Sequence, residues 1–127
     1  MDKTTLVATD FAIGSKLIQA LDSSALQIKV ALWLYTSEYE DWRFVLASPR
    51  LDAERLADAY GLVHNALAAG GISLEQTPTL LILEMSDPFV RALRRIFGKT
   101  KSVEGMRLGG QLIGDRFVED ALAYRIR

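Results

Sequence analysis

The apolar positions of the chain recur with two periods, and the changes between them mark the elements. Phe11, Gly14, Leu17, Ile18 and Leu21 follow helical spacing, with Asp10 placed to cap the helix and Asp22-Ser23-Ser24 to end it. From Ile28 the period drops to two. Ile28, Val30, Leu32 and Leu34 share one strand face, and Lys29, Ala31, Trp33 and Tyr35 share the other. Both faces are apolar at the centre, the pattern of an interior strand covered on two sides. The polar segment TSEYED, a longish loop, turns the chain into a second strand, WRFVLAS, as a hairpin. Pro49 stops that strand because it has no N–H to give a ladder. A helix over residues 52–69 follows, its apolar stripe made by Leu56, Ala59, Tyr60, Val63 and Leu67, and Gly70-Gly71 supplies a left-handed exit.

The run TLLILEM, nearly all apolar, predicts a short buried strand. Ser86 or Asp87 caps a further helix, with Pro88 near its first position, where a missing N–H costs little, and Gly98 at its end. MRLGGQLI and RFVEDALAYRI flank Gly114-Asp115 as a closing hairpin, and Gly109-Gly110 predicts a bulge or a close backbone approach. Along the last strand Val118, Asp120, Leu122, Tyr124 and Ile126 form the core side, and Phe117, Glu119, Ala121, Ala123 and Arg125 the outward one. The order αββαβαββ defines an α/β fold of the α+β type in one domain over residues 1–127. Its mixed sheet has about five strands with three helices, and part of it is parallel because strand–helix–strand crossovers occur.

The landmarks VALWLY, DWRFVLASP, DPFVRALRR and FVEDALAYRI resemble a family of small, uncharacterised bacterial proteins. The resemblance spans most of the chain and rests on core strands and one helix. It implies a fold and a bacterial source, and it carries over no catalytic residue.

Composition narrows the classes further. The 127 residues are 50% apolar and lack cysteine, which excludes disulfides, thiol catalysis and thiolate metal sites. Thr9, Asp10 and Lys16 interrupt the N-terminal apolar residues, so a signal peptide is not expected, and no run approaches the ~18 apolar residues of a membrane span. The expectation is a cytoplasmic protein without a membrane partner. Its net charge of −1 is unevenly spread: residues 1–87 carry six basic and twelve acidic groups, residues 88–107 six basic and one acidic.

That basic segment is the foremost candidate site. At about 100° per residue, Arg91, Arg94 and Arg95 oppose Phe89, Leu93, Ile96 and Phe97. Arginines there could simply solvate an outer helix face and favour its C-terminal dipole. They could equally bind phosphate, since guanidinium forks match phosphate oxygens in pairs, with Lys99, Lys101 and Arg107 extending the patch. Neither a helix-turn-helix, zinc ligands nor an aromatic RNA-binding signature accompanies it, so contact with a nucleic acid would be at backbone level.

Other chemistry is sparse. His64, the sole histidine, has no partner nearby in sequence, and no GxSxG elbow or phosphate-binding glycine loop is present. Glu84 and Asp87, at the end of a buried strand, are the weak candidates for Mg²⁺-dependent phosphoester chemistry, against which Asp87 reads as a helix cap and Glu119 as a cross-strand partner of Arg107. Trp33, Tyr35, Tyr39 and Trp42 cluster at the first hairpin and would form a homodimer or partner surface if no helix covered them. The expectation is a binding or interaction module without cofactor or metal, offering a basic helix face to a polyanion such as nucleic acid.

Overall fold

The computed structural model describes residues 8–127. The N-terminal reading above falls partly on residues 1–7, outside the described residues. The elements are α1 (Ala8–Asp22), β1 (Val30–Thr36), β2 (Asp41–Ala47), α2 (Pro49–Asp52), α3 (Leu56–Ala69), a 3₁₀ turn (Leu74–Gln76), β3 (Leu80–Ile82), α4 (Pro88–Phe97), β4 (Gln111–Ile113), β5 (Arg116–Val118) and β6 (Asp120–Ile126). They build an α+β fold with a mixed sheet in the order β3-β2-β1-β6 and a separate hairpin, β4-β5.

β1 is the axis of the sheet. It pairs antiparallel with β2 and β6, and β2 pairs parallel with β3. Its alternating side chains feed two cores. Ala31 and Trp33, with Phe44, Leu46, Leu122 and Tyr124, pack under Leu17 and Leu21 of α1 and Val63 and Leu67 of α3. Val30, Leu32 and Leu34, with Val45, Ala121 and Ala123, pack under Phe89, Val90 and Leu93 of α4 and under Ile113 and Val118 of the hairpin. The apolar content on both sides of VALWLY therefore produces a three-layer molecule, because each strand face must bury its hydrocarbon against a separate cover.

Several details depart from the sequence reading. Asp10 lies inside the first turn of α1 rather than before it. The loop between β1 and β2 is shorter than expected, Thr36 and Asp41 being already paired. The expected helix over 52–69 is two helices: buried Ser48 caps α2 by accepting from the Leu51 N–H (3.0 Å), and the chain bends before α3 begins at Leu56. Leu56 consequently sits outside the stripe, 62% exposed. β3 is a three-residue edge strand, and only Ile82 of it is buried. The left-handed exit expected at Gly70-Gly71 is present, supplied by Gly71.

The largest departure is in RFVEDALAYRI. It breaks at Glu119, leaving β5 in the hairpin and β6 in the main sheet. The outer edge of β6 is covered by residues 105–110: the Gly105 and Leu108 N–H groups donate to the Ala123 and Ala121 carbonyls, and Ala123 donates to Met106. Gly109 permits this close approach, since a side chain there would strike the Glu119–Asp120 backbone. Within β6 a bulge at Tyr124 shifts the register: Ala123 pairs with Leu32 but Arg125 with Ala31. Leu122 and Tyr124 then face α1 and α3, while Ala121, Ala123 and Ile126 all face α4. The side expected to look outward thus contains two fully buried alanines.

The bulged Tyr124 anchors α1. Its hydroxyl accepts from Trp33 Nε1 (3.0 Å) and donates to the Phe11 carbonyl (2.8 Å), and its ring stacks on Phe11. Gly14 leaves room for that hydroxyl; a methyl group there would collide with it. Burial pushes the phenol up to about 12 from 10.0. A raised folded-state value means the stabilisation is complete below the unfolded pKa and is lost as pH rises through the folded one. Tyr124→Phe, which leaves the Trp33 N–H unpaired, should cost about 1–3 kcal/mol in urea denaturation at neutral pH. Between pH 10 and 12 the gap between parent and variant should narrow.

Candidate functional site

α4 is held at both ends by its own sequence. The Asp87 carboxylate accepts from the Phe89 N–H (2.9 Å), Pro88 occupies the first turn, and Gly98 ends the helix. Phe89, Val90, Ala92 and Leu93 are buried, and this fixes the outward side. Ile96, expected in the stripe, is 50% exposed, while Phe97 beside it packs against the core.

Arg91, Arg94 and Arg95 are exposed on α4, and Lys99 and Lys101 are exposed on the segment after it. Among the described residues the ion pairs are Arg50–Glu54, Arg107–Asp120 and Arg125–Asp22, so none of those five cations is held by a side-chain carboxylate. Arg94 Nε donates to the main-chain oxygen of Arg127, which steadies that guanidinium. Arg107 stands apart: Asp120, rather than the expected Glu119, engages it at 3.2 Å. Glu119 instead accepts from the Ser37 N–H. Arg125 and Asp22 sustain each other, the shared hydrogen bond holding the carboxyl below its usual range and raising the guanidinium.

The cations continue beyond the helix. A polar recess of about 280 Å³ lies at its C-terminal end, lined by Thr100, Lys101, Ser102, Glu104, Arg125 and Arg127. The β4-β5 hairpin lies beside α4 in the same layer. Gly114, at φ 64°, tucks its turn against the Pro88 carbonyl and Ala92, and Arg116 reaches over the Phe89 ring at 5.3 Å. Arg116 and the exposed hairpin residues Leu112 and Phe117 belong to this surface and were not expected there. The usable signal was the alternation of Ile113 and Val118 with Leu112 and Phe117, which a two-stranded cover buries on one side only.

The remaining candidates fall elsewhere. Trp33 and Trp42 are buried at 5% and 8% exposure, and Tyr35 is half-buried against Trp42, because α1 and α3 cover that face. Tyr39 is exposed, with the Arg43 guanidinium 3.9 Å above its ring. His64 is half-buried on α3. Glu84 accepts from Ser86, while Asp87 is committed to its cap. Among the described residues no three His, Asp or Glu side chains gather as a metal site. A groove of about 700 Å³ runs between α1 and the end of α3, lined by Ile13, Lys16, Ala20, Gly71, Ile72 and Glu75, on the opposite side of the sheet from the arginines.

Set against models of protein families, curated proteins and solved structures, the chain finds no match. Among the described residues no helix is long and apolar enough to cross a membrane.

The role of Asp87 is open to a direct check. As a cap, Asp87→Ala should destabilise by about 1 kcal/mol, whereas Asp87→Asn, which can accept the same hydrogen bond, should stay within about 0.5 kcal/mol of the parent. A melting temperature raised by Mg²⁺ in the parent and unmoved in both variants would instead make it a ligand.

Proposed function

We propose that the protein is a non-catalytic binding module whose α4 layer docks on an anionic, phosphate-bearing partner. The observation that carries this reading is the partition of charge along the chain. Residues 88–118, which form α4, the following loop and the hairpin, carry seven basic and two acidic groups; the rest of the chain carries eight basic and fourteen acidic. Charges so divided give the molecule a positive side and a negative remainder, which orients it towards a polyanion before contact. Among the described residues Arg91, Arg95, Lys99 and Lys101 have no side-chain carboxylate partner to surrender on binding, and Arg94 gives up at most its bond to the Arg127 main-chain oxygen. Guanidinium groups one helical turn apart suit successive phosphate oxygens, and the recess beside Lys101 can seat another.

Heparin and short duplex DNA are suitable probes of such a face. The parent should bind both, with affinity falling steeply as salt rises. Arg91→Ala/Arg94→Ala/Arg95→Ala, all exposed positions, should weaken binding about tenfold or more and flatten the salt dependence. Binding equal to the parent's would remove the arginine face from consideration.

A further inference from the structure

We infer that the partner met by the α4 layer is an anionic lipid surface, on which the β4-β5 hairpin lodges Leu112 and Phe117 while the neighbouring cations take the headgroup phosphates. This rests on the reading of the arginine face above and goes beyond it by naming the partner.

The hairpin carries the inference. Its inward residues Ile113 and Val118 are 0% and 1% exposed, whereas Leu112 and Phe117, direct cross-strand partners, are 68% and 61% exposed. These two rank with Leu74 and Leu56 among the most exposed large apolar side chains of the described residues, but only here do two of them stand side by side across a ladder. The turn at Gly114 is pinned to α4, and both elements cover the same face of the main sheet, so their outer sides look the same way. Leu112 and Phe117 thus share one side of the molecule with Arg91, Arg94 and Arg95, and Ile96 adds a half-exposed apolar group to it.

Charge selects among the occupants. A second copy meeting the first through this side would bring two strongly positive layers together, and like charges repel across such a contact. A nucleic-acid backbone would satisfy the cations but offers a protruding leucine no apolar environment. An anionic bilayer supplies both phosphates and, a few ångströms deeper, the acyl boundary that accepts Leu and Phe. Each cation near such a surface contributes about fivefold in affinity. The acidic remainder of the chain is repelled by the same surface and holds α1 and α3 away from it. The contact is peripheral, with Leu112 and Phe117 reaching the boundary between headgroups and acyl chains and no deeper.

The test compares vesicles of phosphatidylcholine with vesicles of phosphatidylcholine and phosphatidylglycerol in co-sedimentation, with heparin binding alongside. The parent should sediment with the anionic vesicles only. Leu112→Ser/Phe117→Ser should weaken vesicle binding about tenfold or more while leaving heparin binding unchanged; the triple arginine variant should weaken both. Since the chain lacks cysteine, Phe117→Cys carrying an environment-sensitive dye gives a second reading, expected to shift to the blue with anionic vesicles. Heparin binding without vesicle binding, vesicle binding undiminished in the hairpin variant, or a dye that stays in water would each overturn the lipid inference and leave the arginine face standing. Heparin binding undiminished in the arginine variant would overturn that face itself.

Discussion

Everything in this molecule follows from burying both sides of β1. Val30, Ala31, Leu32 and Leu34 are at most 1% exposed, and Trp33 is at 5%. A strand so placed cannot sit at a surface, so the chain must supply neighbours on both edges and a cover on each face. The covers differ in kind. One is a pair of helices, α1 and α3, with Tyr124 fixing the first of them to the sheet. The other is assembled from smaller pieces: α4, a loop and a two-stranded hairpin. Pieces that small bury one side only, and what they turn outward is the surface proposed to bind.

The bulge at Tyr124 reconciles the two covers. β6 must serve the α1–α3 core with Leu122 and Tyr124, and the α4 core with Ala121, Ala123 and Ile126. Strict alternation would have set Ile126 beside Tyr124. One extra residue sends it to the other side and aims Arg125 at Asp22, tying the end of the sheet to the end of α1. The same hydroxyl that marks the bulge satisfies Trp33 Nε1, so a large indole sits in the core with its polar atom paired.

Much of this was legible in the sequence. VALWLY showed its two apolar faces, Asp87-Pro88 and Gly98 bracketed α4, and Gly114-Asp115 turned the second hairpin. The arginine face was readable as well, because helical spacing opposes it to Phe89 and Leu93 whatever the tertiary context. Hidden were the features decided by distant partners. RFVEDALAYRI has unbroken strand character, and its division at Glu119 depends on residues 105–110 closing over β6, a contact no local pattern announces. With that division unseen, Phe117, though read as outward, was assigned to the last strand of the main sheet rather than to a thin cover, and Arg116 was not grouped with α4. The hairpin aromatics misled for the opposite reason: their spacing set them on one face but could not say that α1 and α3 lie over it.

Charge and architecture meet in the α4 layer. The cover made of small pieces carries an excess of positive groups, and the rest of the chain an excess of carboxylates. The central claim is that a partner approaches from this side alone. The most direct measurement is backbone amide hydrogen exchange, residue by residue, with and without a bound polyanion. Slowed exchange or displaced resonances confined to residues 88–118, with α1 and α3 unchanged, is the predicted result. Protection concentrated instead along the groove between Ile13 and Glu75, with α4 unaffected, would contradict the account.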